Sequence, residues 1–262
     1  MPSAPPRLSI IVPVLDEAPI IAAALQRLAP YRGAGAELIV VDGGSADGSA
    51  AIAARGADRV LAAPPGRAKQ MNAGAAVARA EVLLFLHVDT ALPVGALEAI
   101  DAALAVAPSP DAALAVPSPQ RQPSLGRHPS LQRHPSPHVS PPVWGRFDVC
   151  IDGHGRLLGV VAALMNLRSR LSGIATGDQA IFATRAAFEA VGGFPEQPLM
   201  EDIELSRRLR RRSRPACLRL RVVTSGRRWE ARGVWRTIAL MWRLRLLYRL
   251  GIAPERLARS YR

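Results

Sequence analysis

The sequence predicts an α/β fold with a Rossmann-like, mostly parallel sheet flanked by helices. Three observations carry this. Short apolar runs rich in β-branched residues recur through the first hundred residues. Segments of helical length, roughly 10–15 residues, separate them. Polar or glycine-containing turns close the runs, the order expected of a doubly wound sheet.

Leu8–Val14 (LSIIVPV) is apolar throughout, as a strand buried on both faces requires. Ala18–Leu28 reads as a helix. Glu37–Val41 (ELIVV) is a second strand, ended by Asp42-Gly43-Gly44. Ser45 suits an N-cap, with Asp47 in the first turn, for a helix reaching Arg55. Arg59–Ala62 is a weak third strand, Arg67–Arg79 a helix and Glu81–Leu86 (EVLLFL) a fourth strand. Pro93 opens a further helix to about Val106. After a break, order resumes at Val143. WGRFDVCI is a strand, Leu157–Leu171 a helix, Gln179–Ala183 a short strand and Gly192-Gly193-Phe194-Pro195 a turn. Glu201–Arg212 is a helix whose basic end suits its dipole. Cys217–Thr224 alternates as a strand, and Val234–Leu250 is a helix mixing Trp, Leu and Arg.

The break, residues 107–142, holds 10 of the 23 prolines, six serines and three of the five histidines. A six-residue repeat runs through it: PSPQRQ, PSLGRH, PSLQRH, then PSP. Proline at that density blocks helix and ladder alike, so a disordered insertion is expected. His128, His134 and His138 fit histidines carried along by the repeat better than a metal site.

Composition narrows the function classes. At 262 residues the chain suits one large α/β domain or two small ones, and 49% hydrophobic residues provide a core. No run reaches the ~20 apolar residues of a membrane span, and the N-terminus lacks a signal-peptide design. Two cysteines, Cys150 and Cys217, make neither a disulfide framework nor a metal spacing, so the expected location is cytoplasmic. The net charge of +13 is concentrated: from Leu205 to Arg262 there are 18 arginines and two acids. That region is expected to meet something anionic. A peripheral contact with the inner membrane face through Val234–Leu250 is one expectation, with Trp235, Ile238, Met241, Trp242 and Leu246 on a broad face. An amphipathic helix packed on the domain is the other. No recognised nucleic-acid module is visible, so nucleic acid is not expected as a partner.

In an open parallel sheet, ligands sit beyond the carboxyl ends of the strands. Asp16 and Glu17 follow the first strand, Asp42 the second and Asp89 the fourth. Several carboxylates at one sheet edge suggest a metal or a polyhydroxyl ligand. No GxGxxG or GxxxxGK[ST] loop follows the first strand, which argues against a dinucleotide oxidoreductase or a P-loop enzyme. Phosphates would then be handled by a divalent ion and basic side chains.

LSIIVPVLDE, ELIVVDGGSADGS, GRAKQMNAGA and LLFLHVDT together resemble the donor half of family 2 glycosyltransferases of the GT-A fold. TGDQAIF, GGFPEQPLMEDIELSRRLRR and SGRRW resemble its acceptor half, and the set is closest to the bacterial arsenosugar-biosynthesis subgroup. The resemblance implies a single GT-A domain. Residues 1–106 would be the nucleotide-sugar half, and residues 143–262 the acceptor and catalytic half with basic C-terminal helices.

It also implies roles. Asp42 resembles the carboxylate that binds the nucleotide base, though a turn aspartate fits the same place. Pro13 and Glu17 resemble the loop closing on the nucleoside; Glu17 also fits a first-turn helix acid. Arg67 and Lys69 resemble the basic pair facing ribose or diphosphate, or a solvated helix face. His87-Val88-Asp89 stands in place of the Asp-x-Asp motif, with Asp89 as ligand of Mg²⁺ or Mn²⁺ and His87 as a second ligand or a strand-end histidine. Glu201-Asp202 resembles the pair whose aspartate is the catalytic base. Asp178 and Gln179 fall on the acceptor side, as do Arg228 and Trp229. Ser225 replaces the glutamine of processive members, so processive synthesis is not expected.

The implied reaction moves a sugar from a nucleoside-diphosphate donor, UDP-linked by preference, to an acceptor hydroxyl with inversion. The acceptor would be a small or lipid-linked molecule. A sugar-phosphate nucleotidyltransferase is one alternative, but the loop after the first strand is acidic and glycine-free. A basic nucleic-acid or membrane-surface binder is the other.

Overall fold

The computed structural model describes residues 5–104, 141–155 and 157–261. The repeat segment of 107–142 therefore lies almost wholly outside the described residues.

The strands are β1 (Leu8–Val14), β2 (Ala36–Asp42), β3 (Arg59–Ala62), β4 (Val82–Phe85), β5 (Thr90–Ala91), β6 (Trp144–Asp152), β7 (Phe182–Thr184) and β8 (Ala216–Ser225). They form one eight-stranded sheet in the order β3-β2-β1-β4-β7-β6-β8-β5. The first four neighbours are parallel, with β1 between β2 and β4. β7 runs antiparallel to both β4 and β6, β8 pairs parallel with β6, and β5 pairs antiparallel with β8. The mostly parallel expectation thus holds for the N-terminal half, and the C-terminal half is mixed.

The helices are α1 (Ala18–Gly33), α2 (Ser49–Ala53), α3 (Arg67–Val77), α4 (Ala96–Leu104), α5 (Leu158–Ser172), α6 (Arg185–Ala190), α7 (Glu201–Arg210), α8 (Arg227–Arg232), α9 (Val234–Arg249) and α10 (Pro254–Tyr261). They cover both faces because side chains alternate along the strands. Leu8, Ile10, Val12, Leu38, Val40 and Leu84 point to one buried cluster, shared with α1, α4 and α5. Ile11, Ile39, Val41, Leu83 and Phe85 point to the other, shared with α3, α6 and α7. A third, smaller cluster of Ile174, Met200, Ile203, Leu244 and Leu257 seats α9 and α10 against α7.

Two local expectations are corrected. Ser45 caps no helix: its N–H donates to Asp42 Oδ2 at 3.0 Å and its hydroxyl to Asp42 Oδ1. Helix α2 starts later, after Gly48 at φ 87°, a conformation glycine adopts without strain. The strand expected over Gln179–Ala183 is instead a 3₁₀ turn, Gly177–Gln179, followed by β7. A capping box between Thr176 and Gln179 wins over the strand pattern.

Gly74 lets α3 lie close on the sheet. A Cβ there would stand 2.5 Å from Ile11 Cγ2 and 3.1 Å from Val41 Cγ2. Gly74→Ala is expected to cost about 1–3 kcal/mol through overpacking, read as a lower urea midpoint at unchanged slope.

Candidate active site

The strand order reverses at β1, which has β2 on one side and β4 on the other. Such a switch point leaves a crevice beyond the carboxyl ends of the strands. A cleft of about 440 Å³ lies there. The end of β1 supplies Pro13 and the loop after it Glu17, the turn after β4 supplies His87 and Asp89, and the start of α3 supplies Arg67. Asp178, Arg228 and Trp229 come from the C-terminal half, so eight of the sequence-predicted residues share one cleft.

The others stand apart from its wall. Asp42 is buried, and its carboxylate accepts from the N–H groups of Gly44 and Ser45, both at 3.0 Å, which closes the turn after β2. Lys69 is exposed on α3. Gln179 is fully buried, and its Oε1 accepts from Thr176 N at 3.3 Å. Glu201 and Asp202 line a small cavity behind the cleft, and His87 lines both spaces. The imidazole thus stands between the cleft and the two carboxylates. Gly177 makes that packing possible: a Cβ on it would meet the imidazole at 2.6 Å.

Charge is arranged in layers. Asp178 pairs with His87 Nδ1 at 3.4 Å and keeps 44% of its side chain open. Burial opposes its charge, but the bond from His87 and the positive charges of His87, Arg67 and Arg228 prevail and hold its pKa down to about 2. Arg67 is raised in the same way: desolvation works against its charge, and the carboxylates of Glu201, Asp178 and Asp202 outweigh it. Asp202 Oδ2 accepts from Gly177 N at 2.9 Å and Oδ1 from Ile203 N at 2.7 Å, which fixes its orientation at the start of α7. Glu17 is pushed up by burial first, with Arg227 pulling the other way.

Burial and then the adjacent Asp202 push Glu201 up. A carboxyl with a raised folded pKa binds its proton more tightly folded than unfolded, so its ionisation costs stability above the ordinary range near 4.5. Glu201→Gln is therefore expected to raise Tm at neutral pH, by a margin that vanishes at about pH 3. Asp178 has the opposite sign: its contribution is present above 3.8 and is lost as pH falls toward about 2. Asp178→Asn should cost about 1 kcal/mol at pH 7, because cleft solvent screens the pairing.

Three cleft features escaped the sequence reading. Arg227 reaches Asp89 at 3.7 Å and Glu17 at 3.9 Å, bridging the two loops. Its signal was the Arg-Arg pair of SGRRW, of which only Arg228 was singled out. Gln70 donates to Val14 O and Val41 O, both at 2.8 Å, and staples the ends of β1 and β2. Arg228 stacks on Tyr261 of α10, 5.4 Å from the ring centroid, so the last helix braces the cleft. The three non-glycine residues at positive φ among those described, Asp16, Ala180 and Met200, all flank these loops. Strain of this kind concentrates where the surrounding structure fixes a working geometry.

This architecture is that of the GT-A glycosyltransferases. The model of glycosyl transferase family 2 matches residues 9–150, and the chain belongs to that family. Comparison with curated protein sequences returns no match. Among solved structures, a mannosyltransferase from Pyrobaculum calidifontis, solved with GDP-Man and Mn²⁺, is similar at a TM-score of 0.54 and 18% identity over 85% of this chain and 57% of that one. TarS of S. aureus, solved as residues 1–349 with UDP-GlcNAc, is similar at 0.56 and 17% identity, over 83% of this chain and 58% of that one. The chain thus spans under three-fifths of the length of either.

Proposed function

We propose that this chain transfers a sugar from a nucleoside-diphosphate donor, UDP-linked by preference, to an acceptor hydroxyl in one displacement with inversion. The observation that supports it most is the shared cleft at the β1/β4 switch point, where cations from α3 and α8 face the carboxylates of two loops. The two solved relatives carry GDP-Man and UDP-GlcNAc in their own sites. Resemblance to the arsenosugar-type subgroup rests on the sequence motifs alone.

A divalent cation fits this donor set. Among the described residues no three His, Cys, Asp or Glu side chains form a preformed cage. The Asp89 carboxylate faces the cleft with one cation, Arg227, at 3.7 Å, and His87 lies two residues before it. One or two protein ligands with diphosphate oxygens completing the shell is the usual pattern for Mg²⁺. When bound, the ion supplies charge stabilisation to the departing diphosphate.

The protein's own groups do the rest. Arg67 and Arg227 hold the diphosphate. Asp178 and His87 border the space for the sugar. The acceptor oxygen attacks the anomeric carbon as the bond from that carbon to the diphosphate oxygen breaks. Its proton passes to Asp202, and the electron pair of the broken bond leaves with the nucleoside diphosphate. Asp42 keeps its base-side role in this proposal only through the turn it closes.

Release of UDP from a UDP-sugar, with an inverted anomeric centre in the product by NMR, is the expected result. Release of pyrophosphate from a nucleoside triphosphate would favour a nucleotidyltransferase, and a retained anomer would exclude single displacement.

A further inference from the structure

The carboxylate of Asp42, expected to meet the nucleotide base, is committed to its own turn. Gly44 N, Ser45 N and the Ser45 hydroxyl all donate to it. A second polar side chain stands at this end of the sheet. Gln70 of α3 is 3% exposed, and it lines the cleft.

The Gln70 amide has one orientation. Nε2 donates to Val14 O and to Val41 O, both at 2.8 Å. Turned over, it would set its oxygen against two carbonyl oxygens with no hydrogen between them. Both N–H bonds are therefore spent on the ends of β1 and β2. Oε1 has no partner among the described residues. It is not among the partnerless side-chain atoms sealed from solvent, so it opens on the cleft that Gln70 lines.

Gly43 leaves room for this amide: a Cβ there would stand 3.0 Å from Nε2 and 3.3 Å from Oε1. The free oxygen is thus held beside the Asp42-Gly43 turn. Arg67 lies three residues earlier on α3 and lines the same cleft. Residues three apart share a helix face. One face of α3 therefore offers a cation for a diphosphate and, one turn on, a fixed acceptor.

We propose, on the nucleotide-sugar reading of the cleft, that Gln70 selects the base of the donor. Its Oε1 accepts the ring N–H of uracil and turns away cytosine, whose N3 is itself an acceptor. A mobile glutamine would serve either base by turning over and offering its NH₂ group instead. The stapled amide cannot, so cytosine would leave two acceptors facing each other unpaired. A site built around one hydrogen bond rejects the analogue that lacks it, because its own polar group is then stranded.

The test titrates UDP, CDP and 2′-deoxy-UDP into the full chain with Mn²⁺ present, by calorimetry. UDP and CDP share ribose and diphosphate, so the ratio of their affinities reads the base alone. The wild type should bind UDP at least about tenfold more tightly than CDP. UDP methylated at N3, which has no N–H to give, should be weakened by a similar factor. In Gln70→Met the UDP-to-CDP ratio should fall toward one. Loss of the staple alone would weaken both ligands alike and leave the ratio standing. Gln70→Lys is the second variant. It keeps donors for the two carbonyls and offers no acceptor, so it should lose the ratio as well.

Three results overturn the proposal: equal binding of UDP and CDP by the wild type; the wild-type ratio kept in a folded Gln70 variant; or a variant that changes the UDP-to-2′-deoxy-UDP ratio alone, which makes a ribose hydroxyl the partner. Failure of the wild type to bind any nucleoside diphosphate would instead count against the transferase reading, so the two failures are told apart.

Discussion

Asp202→Asn is expected to cut turnover by ~10²–10⁴-fold, the usual contribution of a positioned general base, while donor affinity changes little. An acceptor hydroxyl is a poor nucleophile until its proton leaves, and asparagine keeps the shape while removing that acceptor. Its amide oxygen can still take the N–H of Gly177 or of Ile203, the two bonds that orient the carboxylate, so the start of α7 should survive. Equal loss in kcat and kcat/KM would mark an interaction made only in the transition state. Glu201→Gln is the control. Its carboxyl is more buried, and burial and then the adjacent Asp202 push its pKa up. Near wild-type transfer by Asp202→Asn beside a dead Glu201→Gln would exchange the two roles.

The second large effect concerns Asp89→Ala. It should abolish the Mn²⁺-dependent part of nucleotide-sugar binding and leave the fold intact. Asp89 sits in the turn after β4, and among the described residues its side chain makes marginal contacts, with Thr90 Oγ1 at 3.5 Å and Arg227 at 3.7 Å. Removing it therefore strips an oxygen donor from the cleft without opening the core. Calorimetry with and without Mn²⁺ reads this directly. Metal-dependent affinity persisting at full strength would place the ion elsewhere. His87→Ala separates a second ligand from a partition: a ligand's loss weakens the metal-dependent part of donor binding, whereas a partition's loss leaves that part unchanged and alters turnover.

The sequence made the parallel half of the sheet plain and left the rest obscure for physical reasons. Leu8–Val14, Ala36–Asp42 and Val82–Phe85 are buried on both faces, and an apolar run of that length has few other uses. The placement of β7 between β4 and β6 follows from pairings distant in the chain, which no local pattern records. Helix α6 is capped by Thr184, whose hydroxyl accepts from Ala187 N, directly after a run that reads as strand.

The site was legible as a set of strand-end polar groups, because a switch point gathers such groups whatever the loops between them do. Its individual contacts were not. Asp42 and Gln179 carry the right chemistry, yet nearby backbone amides take up their oxygens. Arg168 reads in sequence as one more arginine on a helix. It shares a cavity with residues of α7 and α9, which are distant in the chain.

The most direct test is a thermal-shift panel of nucleoside diphosphates and their sugars, with and without Mn²⁺, on the wild type and on Arg67→Ala. A UDP-sugar at about 100 times its dissociation constant should stabilise the wild type by ~2.7 kcal/mol, with Mn²⁺ increasing the shift and Arg67→Ala reducing it. No shift with any nucleotide sugar, or the same shift in Arg67→Ala, would contradict a donor site in the β1/β4 cleft.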